Sequence, residues 1–259
     1  MSPPITAGVK VVTLMMVAIF LAGGGNAEEP DGAAVTDGVI NATNRLRAEE
    51  GVPKLEREPV LDKAASEFAR FMARTGKYGH QADGRSPSER AEAAGYEICL
   101  MAENIANLSD TSGFTVKELS ASIFAGWKES KTHLENMVEP AATEIGLGLA
   151  RSTESGAYYA VQLVGRPKSE MIEFEIANFT GKAVNYRLDG KRAKLSPRQI
   201  RKLGRCRPAE VLVLGLGDDG KAKTEISPAD GDRLIVFRDD DDVLRVRVES
   251  RQDEDGADE

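Results

Sequence analysis

Apolar residues recur at helical spacing through the first half of this chain and at alternate positions through the second. Val35, Val39 and Leu46 fall on one helical face, and Gly51 with Pro53 closes that segment. Pro59 suits a first helical position. Leu61, Ala64, Ala65, Phe68, Phe71 and Met72 then line one face of a second helix that Gly76 ends. Ser86-Pro87-Ser88-Glu89 is a capping box with proline at N1, which predicts a short helix to about Gly95. A second box, Thr115 to Glu118, opens a helix with an inner stripe of Val116, Leu119, Ile123 and Trp127. The pattern places Trp127 in the core.

After residue 140 the period drops to two. Ile145, Leu147 and Leu149 share one face of a strand over 144–151, and 157–164 reads as its antiparallel partner. Helices followed by a meander predict an α+β fold, or a three-layer sandwich with helices flanking a sheet. Arg166 to Ser169 reads as a linker. Beyond it, Ile172, Phe174 and Ile176 alternate with glutamates, Val184, Tyr186 and Leu188 lead into an Asp189-Gly190 turn, and apolar runs recur at 211–214, 234–237 and 244–248. These predict a small all-β domain of six or seven strands over 167–252, with an acidic, disordered tail at 253–259.

The N-terminus changes the setting. Lys10 precedes the apolar run Val11 to Ala22, and Gly25 and Ala27 form a small-x-small site, so 1–27 reads as a signal peptide and 28–34 as a linker. The run is short for a spanning helix, which needs about 20 apolar residues. The mature chain is therefore expected outside the cytoplasm, secreted or periplasmic, with no transmembrane segment beyond the signal. The net charge of −8 argues against a chain-wide nucleic-acid binder. Two cysteines, Cys99 and Cys206, exclude a disulfide-dense scaffold and a four-thiolate zinc site. They are either one bridge joining the two halves or two buried thiols.

Chemistry-bearing residues concentrate in the first half. The only histidines are His80 and His133. Glu103 lies among apolar neighbours beside a cysteine-containing loop. A helix continuing past Trp127 would put Ser130 and His133 on one face, with Cβ atoms ~5–6 Å apart. Two imidazoles and a carboxylate are the ligand types of an open zinc site, although their spacing is not diagnostic. The same positions, taken singly, suit surface histidines and a capping glutamate.

In order, His80-Gln-Ala-Asp83-Gly84, Arg90, Gly95-Tyr96, Glu103-Asn104-Ile105, Gly126-Trp127, Ser130-x-x-His133 and Glu144-Ile145-Gly146-Leu147-Gly148 resemble the CAP superfamily, whose module is also called the SCP domain. The segment from Asn41 to Leu55 is similar to the first helix of bacterial members. The resemblance spans about 35–166 and implies an α-β-α sandwich followed by the small all-β domain. It implies a cleft shared by His80, Glu103 and His133, with a divalent cation such as zinc and no nucleotide or organic cofactor. Ser130 stands where many eukaryotic members carry a second glutamate, which should weaken cation binding. Asn104 is expected to satisfy backbone groups in a turn, and Tyr96 suits either core or site.

Two functions are open at this point. One is a non-enzymatic extracellular binding module whose cleft, formed by His80, Glu103, Ser130 and His133, holds a cation or a small or lipidic ligand, with a lipid, an envelope polymer or a protein as partner. The other is a hydrolase, either with Ser130 as nucleophile, His133 as base and Glu103 as orienter, or with a metal-bound water and Glu103 as base. No nucleophile elbow is evident, so the binding module is preferred. Eight cations from Lys191 to Arg207, with no acid among them, suit either an anionic polymer or a solvated face paired with the Asp239–Asp242 run.

Overall fold

The computed structural model describes residues 29–216 and 222–250. The signal segment and the acidic tail lie outside the described residues. The first helix, α1 (Gly32–Glu49), starts inside the segment read as a linker because the Asp31 side chain accepts from the Ala33 N–H and caps it. Three more helices follow the sequence signals. α2 (Pro59–Thr75) begins on proline and ends at Gly76 in the left-handed conformation. α3 (Pro87–Ala94) and α4 (Val116–Glu129) each carry a complete capping box.

Four strands make the first sheet: β1 (Glu56–Arg57), β2 (Ile98–Leu108), β3 (Glu144–Arg151) and β4 (Tyr158–Pro167), in the order β1-β3-β4-β2. β2 replaces the loop expected around Cys99 and Glu103. It pairs antiparallel with β4 along its whole length, apart from a bulge at its start. Helices cover both faces. Ile145, Leu147, Ala160 and Val164 pack against α1 and α4, while Ile105, Val161 and Leu163 pack against α2 and α3. The fold is thus an α-β-α sandwich followed by a β region.

Contact between α2 and β3 depends on two glycines. A Cβ on Gly146 would lie 2.3 Å from the Leu61 carbonyl carbon, and one on Gly148 would lie 2.2 Å from the Ser66 nitrogen. The helix backbone therefore rests on the strand itself, a distance only glycine permits. Asp62 in the first turn of α2 reinforces the seam by accepting from the Leu147 N–H at 2.8 Å.

β4 runs through the segment read as a linker, and a single 3-10 turn at Lys168–Glu170 leads into the second half. That half holds eight described strands rather than six or seven: β5 (Ile172–Asn178), β6 (Val184–Leu188), β7 (Lys191–Leu195), β8 (Ile200–Arg205), β9 (Val211–Leu216), β10 (Ala222–Ile226), β11 (Arg233–Arg238) and β12 (Leu244–Glu249). They form two sheets, β10-β9-β6-β7 and β12-β11-β5-β8, which enclose Phe174, Ile176, Val184, Tyr186, Leu234 and Val236. Asp189 and Gly190 both take positive φ, as a two-residue hairpin turn requires.

Cys99 and Cys206 form a disulfide that joins the two halves, with their Cα atoms 5.3 Å apart. Arg207 adds an ion pair to Glu139 at 2.8 Å. Among the described residues, no helix is long and apolar enough to cross a membrane.

The glycine seam makes a direct prediction. Gly148→Ala should destabilise the protein by about 2–3 kcal/mol through backbone overlap. Gly126→Ala in α4, where an added Cβ meets nothing within 4 Å, should stabilise it by about 0.5–1 kcal/mol. Urea unfolding of both variants measures the contrast, and equal effects would refute a seam set by backbone contact.

Candidate functional site

The site forms on the free edge of β2. An edge strand presents unpaired carbonyls, and here side chains from both faces of the sheet satisfy them. The Trp127 indole N–H donates to the Ile105 carbonyl at 3.0 Å from the α4 side, and the Tyr78 hydroxyl donates to the same oxygen at 3.2 Å from the α2 side. Asn136 donates to the Glu103 carbonyl at 3.1 Å. Trp127 is core, as its stripe predicts, and it also seals the strand edge.

Ser130 breaks the expected long helix. It adopts extended backbone (φ −92, ψ 118), ends α4 and begins a separate helix, α5 (Lys131–Met137). Its carbonyl accepts from Leu134, while its side chain makes no capping hydrogen bond. α5 is docked on β2 by amides. Asn104 donates to the His133 carbonyl at 3.0 Å and to Gln162 Oε1 at 2.9 Å, Asn136 donates to Asn104 Oδ1 at 2.9 Å, and Gln162 donates to Thr43 at 3.1 Å. Asn104 thus lies in a strand rather than a turn, although it does satisfy a backbone group.

Glu103 points to the opposite face from Asn104 and is almost fully buried. Both carboxylate oxygens are engaged: Oε1 with His80 Nδ1 at 2.8 Å, and Oε2 with Arg90 Nη2 at 2.6 Å. Arg90 is equally buried and stacks 3.5 Å above the Phe68 ring. It also donates to the carbonyls of His80 and Arg85 and to Asp83 Oδ1, so the loop carrying His80 is tied to α3. Burial pushes the Glu103 carboxyl up, against the opposing pull of Arg90 and His80.

His80 and His133 reach the edge from opposite faces of the sheet. They lie close enough that charge on His80, after burial, helps to lower the His133 pKa. His133 Nδ1 is buried without a hydrogen-bond partner. His80 is half exposed, and Glu103 accepting at Nδ1 leaves its Nε2 as the open nitrogen.

The arrangement alters the expected ligand set. Each oxygen of Glu103 is already engaged, Oε1 by His80 and Oε2 by Arg90, so a metal would have to share it. Among the described residues, no three or more His, Cys, Asp or Glu side chains are grouped to hold an ion. His80, His133 and Glu103 are thus not grouped as a ligand set here, and Glu103 lies behind His80, hydrogen-bonded to its Nδ1. The nucleophile chain is not assembled either, since Glu103 contacts His80 rather than His133, and no side-chain bond joins Ser130 to His133. Tyr96 is structural: it is buried and donates to Glu144 at 2.6 Å.

Arg90 is the functional residue the sequence reading did not assign. A basic residue beside buried Ala91, on a helix with a strong cap, was the available signal.

Residues 40–164 match the family described as "CAP: Cysteine-rich secretory protein family". That segment is a CAP domain. The uncharacterized protein YkwD of Bacillus subtilis (strain 168) is 28% identical over 129 residues, covering 49% of this chain and 46% of that protein. The chain thus spans about half the length of the curated relative it matches. An outer surface protein from Borrelia burgdorferi gives a TM-score of 0.46 at 20% identity, over 52% of this chain and 93% of that one. An extracellular protein containing a SCP domain from Bacillus anthracis str. Ames gives 0.44 at 19% identity, over 52% of this chain and 41% of that one.

The buried charges of the CAP domain should be strongly coupled. Arg90→Met leaves Glu103 buried without its main counter-charge and should cost about 3 kcal/mol or more. Arg90→Met with Glu103→Met should recover much of that loss, which a double-mutant cycle by denaturant unfolding measures. His133 predicts a pH effect. Its folded-state pKa is depressed, so the unfolded chain binds the proton first as pH falls. The stability tied to neutral His133 is present above the ordinary imidazole value of about 6.5 and is lost as pH falls from there towards the folded value. His133→Gln should flatten that part of the melting temperature against pH profile.

Proposed function

We propose that this protein is an extracytoplasmic binding module and that the His80–His133 pair at the edge of β2 is its ligand site. The observation that carries the reading is the orientation of His80. A buried carboxylate fixes its Nδ1 and leaves Nε2 outward, near a second imidazole whose Nδ1 is buried and unpartnered. Two imidazoles held in this way suit a divalent cation that keeps water in its other positions, or a small or lipidic ligand with a hydrogen-bonding head. The unsatisfied His133 nitrogen favours a partner there, because a buried polar atom without one costs about 1–3 kcal/mol.

The location outside the cytoplasm is supported by the signal-like 1–27 segment and by the Cys99–Cys206 disulfide, which persists in oxidising compartments. In this reading residues 35–166 are the binding domain, and the β region from 167 to 252 is a separate domain that addresses it to a surface or partner. Hydrolysis is the less favoured reading, because the Ser130–His133–Glu103 chain lacks the contacts that would activate a serine.

Zinc titration by calorimetry, with the whole secreted chain, tests this. Saturable binding by the wild type, weakened about tenfold or more in both His80→Ala and His133→Ala and unchanged in Ser130→Ala, supports the pair. A folded wild type that binds no zinc overturns the cation reading. Labelling by a serine-directed probe that Ser130→Ala abolishes would overturn the binding module in favour of the hydrolase.

A further inference from the structure

The eight cations from Lys191 to Arg207 lie on one corner of the β sandwich, where the chain passes from β7, an edge of one sheet, to β8, an edge of the other. The acidic run expected to neutralise them does not do so. Asp239 pairs with Arg245 at 2.8 Å, and Asp242 pairs with Arg238 at 3.5 Å, so the ion pairs of that run lie within its own hairpin and none reaches the corner cations. Three corner cations have carboxylate partners: Arg205 with Asp189, Arg207 with Glu139, and Lys202 with Glu175 at the outer limit of 4.0 Å. Among the described residues, Lys191, Arg192, Lys194, Arg198 and Arg201 pair with no carboxylate.

Their placement wraps the β7 edge, with some side chains facing between the sheets and others on the outer face. On β8, Arg201, Leu203 and Arg205 stand opposite Ile176, Phe174 and Ile172, and so point between the sheets. On β7, Lys191 stands opposite buried Leu188 and also points inward. Between the two edges lies an open cleft of about 410 Å³, floored by Tyr186, whose hydroxyl accepts from Arg201 at 2.9 Å. The one carboxylate lining it, Asp189, is held by Arg205. On the outer side of β7, Arg192 stands directly opposite Arg187. Like charges in that position repel, and Arg187 Nε is buried without a hydrogen-bond partner.

We propose that the β7–β8 corner binds an extended anionic polymer, one that repeats a phosphate or carboxylate group along its chain. Same-face residues on a strand are spaced about 6.6 Å apart, so Arg192 and Lys194 offer charge at an interval that successive groups of such a chain can match. An anion between Arg187 and Arg192 would relieve both the repulsion and the unpartnered Nε. Arg192 also borders the cleft, so a strand of polymer can run along the outer face of β7 and over its edge into the cleft, a path that a flat bilayer surface cannot follow. Inward charges on edge strands also block edge-to-edge aggregation, but that role works with either sign and calls for no run of a single sign.

The test uses the whole secreted chain with long-chain inorganic polyphosphate as probe. Orthophosphate serves as the monomer control, and vesicles of mixed phosphatidylglycerol and phosphatidylcholine as the membrane control. Saturable polyphosphate binding is expected, with a log–log salt slope of roughly −3. Binding should weaken about tenfold in Arg192→Glu/Lys194→Glu, and less in the milder Arg192→Gln/Lys194→Gln pair, which keeps the test open if charge reversal prevents folding. Arg245→Glu/Arg247→Glu makes the same net change on another hairpin and should leave binding nearly intact. No binding by wild type at low salt would overturn the proposal. So would an equal loss in the Arg245/Arg247 variant, which means diffuse charge, or tighter binding to the vesicles than to polyphosphate.

Discussion

The unpaired edge of β2 is the constraint around which the CAP domain is organised. Its outward carbonyls at Glu103 and Ile105 need donors, and the chain supplies them from Asn136, Trp127 and Tyr78. Each donor fixes the element that carries it. Trp127 locks the end of α4, Asn136 seats α5, and Tyr78 draws in the segment after α2. The loop bearing His80 and the helix bearing His133 are delivered to one place as a result of sealing that edge. A histidine pair assembled from opposite faces of a sheet therefore needs no contact between the two residues to define it.

Charge is handled differently in the two halves. In the first, charged groups are buried and counted closely: Arg90 has Glu103 and Asp83, and Arg47, fully buried, donates to the carbonyls of Pro53, Met137, Glu139 and Ala142. Desolvation lowers the Arg47 pKa, with Glu139 opposing, and Glu139 in turn holds Arg207 of the β region. In the second half, apart from buried Asp232, charge stays mainly on the surface and is segregated by sign along the chain. The net charge of −8 conceals that segregation.

Much of the architecture was legible in the sequence because local rules governed it. Capping boxes, a proline at N1 and terminal glycines bounded three helices, and alternation at Ile145, Leu147 and Leu149 identified β3. β2 escaped for a physical reason. Glu103 and Asn104 are both buried, on opposite faces, so the strand shows no alternation of polarity. The roles within the site escaped similarly. Burial of Arg90 against Phe68 and the interruption at Ser130 are tertiary outcomes, so the sequence pointed to His80, Glu103 and His133 as partners without showing that Arg90 claims one oxygen of Glu103. The β region was legible as a class, while its eighth strand and the ion pairs internal to the acidic hairpin were not.

The bridge between Cys99 and Cys206 spans 107 positions of sequence and closes the segment between them into a covalent ring. Tension applied between a held N-terminal part and a tethered C-terminal strand would pass through the sulfur atoms and bypass the ring. The single turn at Lys168–Glu170 would carry no load, and a cut there would leave both halves attached. A pull between the two halves would therefore not rely on the thin piece of backbone that connects them.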